Sequence, residues 1–397
     1  MNIHANQIWT TPLNELDAVQ RGFNRNKTVR FYDTTLRDGE QSTGICFSAN
    51  DKFQIACKLS ELGIGRIESG FPRVSKEDTE AVERILKANL KSEIWGFARC
   101  VQGDIDAHVE LGTRYTLLEI TTSDMKMKAF GFTREKVMAS VVNSVKYAKD
   151  KGIERVNFFA VDSTRSDLGF LRDIYSAAIE AGADEVSVVD TIGVCAPETV
   201  EYLMRQVRSW VGETVPIHWH GHNDMGLATA AAIAAVRGGA DWIQGTINGM
   251  GERAGNADIC EVALALQFLY HVPVELDLSK AREVSELVQK CGKYTVDSWK
   301  PVVGKFIFTR ESGGVASQFH QPSAIEPYSA DVVAASRHIA LGKKSGLANI
   351  KIKLDELGLD APADKHAAIL EKVKSLGTAE KRLVTDQEFR AMVAAFN

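Results

Sequence analysis

Val215-Pro216-Ile217-His218-Trp219-His220-Gly221-His222-Asn223-Asp224 reads as a β-strand whose last residues carry chemistry. Successive side chains on a strand point to opposite faces, so His220 and His222 project from one side, where both imidazoles can reach a single cation. His218 shares their parity but sits deeper, which suits a structural role. Seven further short apolar or β-branched runs, 29–34, 65–70, 93–99, 115–121, 154–161, 185–190 and 241–247, accompany the run at 215–222. Most are followed by residues with helical spacing, at Asp51–Leu62, Lys76–Lys87, Arg134–Lys151, Leu168–Ala181, Pro197–Val211, Leu227–Gly238 and Asn256–Tyr270. Gly63, Gly152, Gly182 and Gly239 stand just before the next strand, where a left-handed helix end is expected. Such alternation implies parallel strands joined by right-handed crossovers. About eight strand–helix units close most naturally into a (β/α)8 TIM barrel, an α/β fold with its active site at the C-terminal ends of the strands.

That expectation has a consequence for the polar residues. Asp33, Glu68, Arg99, Thr121, Asp162, Asp190, His220, His222 and Asn248 all fall at or near strand ends, so they converge on one mouth. Barrel closure sets the first and seventh strands two apart, so Asp33 is the expected carboxylate partner of His220 and His222 in a metal site with open positions for substrate. Asn256 is expected to ligate the ion or to support a ligand. The loop Thr34-Thr35-Leu36-Arg37-Asp38-Gly39-Glu40-Gln41 is dense in charge directly after an apolar strand. Its Arg37, Asp38, Glu40 and Gln41 are the catalytic candidates, although surface salt bridges would explain the same residues. A fixed guanidinium at Arg37 suits the oxygen of a carbonyl substrate polarised by a metal. Glu68 and Arg99 join Arg37 as candidate substrate contacts. Thr191 can donate its hydroxyl to a substrate carboxylate, with a helix cap as the alternative. Arg165 can neutralise that carboxylate or form a surface ion pair. In Asn248-Gly249-Met250-Gly251-Glu252-Arg253-Ala254-Gly255-Asn256 three glycines permit close backbone approach to a ligand, or only a tight turn.

Composition bounds the rest. The chain has 397 residues, 25% of them charged, and a net charge of −5, which offers no basic excess for nucleic acid. Its length suits a barrel with an appendage: an extension at 1–28, the barrel at 29–270, a linker subdomain at 271–330 and a small helical domain at 331–397, including helices at Ala363–Leu376 and Thr385–Ala395. The apolar residues 302–308 suit a strand packed on the barrel. Six cysteines scattered without a CxxC pair point to a reduced, cytoplasmic protein. The polar residues 1–28 and the shortness of the most apolar helix, Ala228–Val236, speak against secretion and membrane insertion.

The motifs DTTLRDGEQ, HGHND and NGMGERAGN resemble those of the metal-dependent barrel superfamily of isopropylmalate synthase, homocitrate synthase and hydroxymethylglutaryl-CoA lyase, the DRE-TIM metallolyases. The match runs from residue 29 to about 350 and includes Glu68-Ser69-Gly70-Phe71-Pro72, Glu311-Ser312-Gly313 and Leu341-Gly342-Lys343-Lys344-Ser345-Gly346. The resemblance implies a Claisen-type condensation of a 2-oxo acid with an acyl-CoA, acetyl-CoA being the expected donor, at a divalent ion (Mg, Mn or Zn). It also implies a homodimer whose region after the barrel crosses over the partner's active site, the alternative for residues 302–308 to a strand on their own barrel. It maps the metal ligands onto Asp33, His220 and His222, the keto-binding arginine onto Arg37, and carboxylate contacts onto Thr191 and Arg165. The regulatory domain of leucine-sensitive isopropylmalate synthases is expected to be lacking. This sequence departs from the synthase pattern at four places. Gly314-Val315 follows the ESG motif where a histidine is usual, Val161 replaces a glutamate before Asp162, Lys126 replaces a histidine, and Ile325 replaces a tyrosine. Two alternatives therefore stand beside condensation: cleavage of a hydroxy acid by a lyase or aldolase, and a catalytically silent ligand-binding relative.

Overall fold

The computed structural model describes residues 5–396. Eight strands form a closed barrel in sequence order: β1 (Arg30–Asp33), β2 (Arg66–Glu68), β3 (Glu93–Arg99), β4 (Tyr115–Thr121), β5 (Arg155–Val161), β6 (Glu185–Asp190), β7 (Ile217–Gly221) and β8 (Trp242–Gly245). Every neighbouring pair is parallel, and β1 closes the ring on β8 with Tyr32 opposite Gln244. The strand runs and the helices at Lys76–Lys87 and Pro197–Val211 lie where the sequence places them. Two helices escape the periodicity, Gln102–Glu110 and Asp124–Phe130. Each is short, and the second buries only Met127, so neither has an apolar stripe to read.

Local chemistry fixes the helix ends. Ser48 and Asp51 form a reciprocal capping box, and Ser75, Thr133 and Asp167 accept backbone N–H groups at the starts of their helices. Gly63, at φ +98°, ends the helix Ala49–Leu62 in the left-handed conformation.

The barrel interior is filled by Tyr32, Trp95, Phe97, Leu117, Phe159, Val189 and Trp242. Lower in the barrel the Arg66 guanidinium lies 4.6 Å from the Trp95 ring centroid and 3.7 Å from that of Trp242. It donates to both carboxylate oxygens of Glu185, at 2.5 and 2.9 Å, while His218 Nε2 lies 2.7 Å from the same group. His218 is thus a satisfied core residue, as its depth suggests.

The chain forms two compact units, Pro12–Thr295 and Met1–Thr11 with Val296–Asn397. The boundaries therefore differ from those expected at 28, 270 and 330. Residues 12–28 and 271–295 belong with the barrel, where the helix Ala281–Gly292 packs on Ala49–Leu62. Residues 296–330 belong with the C-terminal residues, and an N-terminal bridge joins them: Trp9 N–H donates to Pro327 at 2.8 Å. Within this second unit the helices Leu347–Leu357, His366–Ala379 and Asp386–Ala394 bury Ile350, Ile369, Val373 and Phe389. Residues 302–308 are turns rather than a strand, and the short strand begins at Thr309, pairing Thr309–Arg310 with His338–Ile339. Among the described residues no helix is long and apolar enough to cross a membrane.

Candidate active site

The end of β7 places His220 and His222 side by side, with their Nε2 atoms 3.4 Å apart. The carboxylate that meets them is Asp38, whose Oδ2 lies 3.2 Å from His220 Nε2 and 3.7 Å from His222 Nε2. Among the described residues this is the one group of three acidic, histidine or cysteine side chains spaced to share an ion. Asp33, the carboxylate expected there, is elsewhere. Tyr32 points into the barrel, so its neighbour on the strand points away. The Asp33 carboxylate instead accepts the N–H and the hydroxyl of Thr35, each at 2.9 Å. Burial pushes its pKa up to about 7. The chain then turns tightly, with the Thr34 carbonyl accepting from the N–H groups of Arg37, Asp38 and Gly39, and this turn carries Asp38 back to the mouth.

The electrostatics of the three suit a cation. Burial would raise the Asp38 carboxyl, but Arg37 and the two imidazoles outweigh it and hold the group well below the usual carboxylate range. Burial also pushes His222 down to about 4, leaving the neutral imidazole that metals require. Gln244 offers its carbonyl oxygen to His220 Nδ1 at 3.2 Å and its amide to His218 Nδ1 at 3.2 Å. This orientation puts the proton of His220 on Nδ1 and frees Nε2 toward Asp38. Three buried polar atoms here have no hydrogen-bond partner among the described residues: Arg37 Nη2, His222 Nδ1 and Asn256 Oδ1. Such orphans are costly in a closed interior, and an oxygen- and nitrogen-rich cluster containing them fits a divalent ion with open positions.

The other expected residues sort into three groups. Arg37 lies in the mouth, its guanidinium 4.3 Å from the Phe97 ring centroid and its Nε on Glu68. Glu68, itself bonded by Tyr32 at 3.1 Å, stands behind Arg37 as its anchor. Thr191, Gln41 and Arg99 line the same cavity, of about 340 Å³. Thr191 Oγ1 accepts the Asp162 N–H at 2.8 Å and keeps its own hydrogen to give. Asn256 donates to Asp38 at 3.2 Å and to the Met250 carbonyl at 2.9 Å. Two expected residues turn elsewhere. Glu40 is tied to Lys52 at 2.5 Å and to the Phe47 N–H at 2.7 Å. Arg165 spends its guanidinium on Asp162, at 2.8 and 2.7 Å. Arg99, though at the mouth, gives two nitrogens to Asp104 at 2.7 and 3.0 Å.

The glycines after β8 serve the loop itself. A β-carbon on Gly255, at φ +83°, would lie 1.9 Å from the Gly249 carbonyl oxygen, and one on Gly251 would lie 2.2 Å from Asn256 Nδ2. Only glycine lets the loop fold this tightly and keep Asn256 on Asp38. Glu119, on the inner face of β4, also lines the cavity. Glu119 is not among the residues expected from sequence; its parity with Thr121 in an apolar run is the one local signal that marks it.

A family model described as HMGL-like matches residues 28–288. Homocitrate synthase AksA of Methanothermobacter thermautotrophicus is 38% identical over 94% of this chain and 96% of that protein. The 2-isopropylmalate synthase of Methanocaldococcus jannaschii is 39% identical over 92% of this chain and 71% of its own length. Among solved structures, the HMG-CoA lyase from Brucella melitensis aligns with a TM-score of 0.60 at 19% identity, covering 67% of this chain and 99% of that one. At that identity the likeness is one of fold alone.

Proposed function

The chain belongs to the HMGL-like family, and from that premise we propose that it is an acyltransferase condensing an acyl-CoA, acetyl-CoA in the simplest case, with a 2-oxo acid to give a 2-hydroxy-2-alkyl dicarboxylate or tricarboxylate. The observation that carries this reading is the meeting of Asp38, His220 and His222 with the anchored Arg37 in one buried mouth. The relatives' names support it, since those similar over most of the chain are synthases. Cleavage of a hydroxy acid has weaker support, because the lyases are similar only in fold.

Asp38, His220 and His222 would hold the divalent ion, with Asn256 orienting Asp38. Bound there, Mg, Mn or Zn supplies Lewis-acid polarisation of a carbonyl oxygen. Arg37 keeps one unpartnered nitrogen, Nη2, for the oxygen that becomes negative as the new carbon–carbon bond forms. Its position is fixed by Glu68 and the Phe97 ring, so little reorganisation is needed. Thr191 can donate to the 2-oxo acid carboxylate, and Arg165 supports it through Asp162, whose N–H is bonded to Thr191. Phe71, Phe97 and Phe159 line the cavity and limit water. The acyl methyl group loses a proton as its carbon joins the keto carbon, the keto oxygen gains one to become the 2-hydroxyl, and water cleaves the thioester to release CoA and leave the new carboxylate. A cytoplasmic homodimer goes with this reading.

Free-thiol assay of CoA release from acetyl-CoA tests it. Release is expected only when a 2-oxo acid and a divalent ion are both present. No release across a panel of 2-oxo acids with Mg, Mn or Zn would contradict the proposal.

A further inference from the structure

β4 brings to the cavity a carboxylate that the proposed chemistry does not use. Leu117, Glu119 and Thr121 share the inward face of the strand. Leu117 belongs to the barrel core, Thr121 stands at the strand end opposite Val161, and Glu119 lies between them, paired in register with Arg99 on β3 and Phe159 on β5. It is half-buried and lines the same cavity as Arg37, Thr191, His220 and His222.

Its carboxyl makes no hydrogen bond or ion pair among the described residues, although cations are near. Arg99 is committed to Asp104, and Arg37 to Glu68 and Asp38. Burial pushes the Glu119 carboxyl up to about 7, with the Arg37 charge opposing. Its wall neighbours Phe97 and Phe159 can supply no partner. A carboxyl in such a place costs free energy in either protonation state unless something polar reaches it. A leucine would fill the same position at no such cost, so the fold does not call for the acid.

The topology indicates what reaches it. In the eight-membered ring β4 lies three strands from β1 and three from β7, the strands that deliver Asp38 and the histidines. Thr191 follows β6, two strands from β4, and Arg37 follows β1, three strands away, so a 2-oxo acid whose head is held by these two would have β4 across the mouth for its tail. We propose that Glu119 is a specificity-determining residue: it makes the site select 2-oxo acids whose tail ends in a hydrogen-bonding group over aliphatic ones of the same size. The inference rests on the condensation reading for the head of the ligand. An aliphatic tail strips water from the carboxyl and leaves it unpaired, whereas a polar tail replaces that water; sites built this way reject the analogue lacking the polar group far more strongly than an apolar pocket rejects a size change.

The test is calorimetric binding to the magnesium-loaded protein of a matched pair, 4-hydroxy-2-oxobutanoate and 2-oxopentanoate, which differ in a terminal hydroxyl or methyl. The wild type is expected to favour the hydroxyl compound by about tenfold or more. Glu119→Gln is expected to keep most of that preference, and Glu119→Leu to abolish or invert it. Equal binding by the wild type, or an unchanged ratio in Glu119→Leu, would overturn the inference, and the wild-type ratio decides even if the leucine variant fails to fold. A hydroxyl preference without CoA release would sink the condensation reading alone. CoA release with a flat ratio would sink only the role of Glu119.

Discussion

Replacing Asp38 by alanine is expected to weaken divalent-metal binding by at least about 100-fold, because loss of a partner that merely orients a ligand already costs about 10–100-fold. Turnover should fall with it. Asp38 is the residue whose oxygen approaches both imidazoles, and it is held ionised by Arg37 and the histidines. Asp33→Asn is the informative comparison. Asparagine retains an acceptor for the Thr35 groups that Asp33 now serves, so metal affinity should stay within about tenfold of the wild type, below even the larger second-partner effects. Equilibrium dialysis against manganese checks both variants. Loss of metal in Asp33→Asn with retention in Asp38→Ala would reverse the assignment.

Replacing Glu185 by alanine should have the largest effect on stability. It leaves the Arg66 guanidinium, between Trp95 and Trp242, with Glu93 as its remaining carboxylate at 2.9 Å and removes the carboxylate partner of His218, all in the closed lower barrel. Breaking a buried ion pair by deleting one partner costs about 3–5 kcal/mol, and the surviving Glu93 contact sets the expectation at the lower end, about 3 kcal/mol. The shift should be visible in the guanidinium unfolding midpoint of the barrel. The same network sets an acid dependence. Burial pushes the Glu185 carboxyl up, but His218 and Arg66 more than reverse this and bring it to about 2 from an ordinary 4.5. A carboxylate with a depressed folded pKa gives stability that is fully present above the unfolded value and lost as pH falls through the folded one. Stability should therefore fall between about pH 4.5 and about pH 2 in the wild type. Glu185→Gln should be less stable at neutral pH and lack that part of the acid loss. A variant as stable as the wild type at pH 7 would show that the network contributes little.

The barrel was legible because its signals are local. Apolar strand runs, intervening helical spacing and glycines such as Gly63 each need only a few neighbouring residues to be recognised. The site was legible in part for the same reason: His220 and His222 lie on one strand, and their parity follows from the pleat. Asp38 was harder, because it reaches them through the turn around the Thr34 carbonyl, and a turn's direction is not written in periodicity. Asp33, the carboxylate at the strand end, is the one that periodicity alone favours. Glu40 looked catalytic beside Arg37 until Lys52, a residue of the following helix, claimed it. Arg165 was similarly claimed by Asp162. The unit boundary eluded sequence because it depends on contacts between distant segments, such as Trp9 with Pro327.

The central claim, that Asp38, His220 and His222 bind a divalent ion beside a 2-oxo acid, is tested most directly by electron paramagnetic resonance of the wild-type protein titrated with manganese. One tightly held equivalent per chain is expected, with a spectrum that changes when a 2-oxo acid is added. Manganese that remains free in solution, or a bound spectrum indifferent to every 2-oxo acid supplied, would contradict the account.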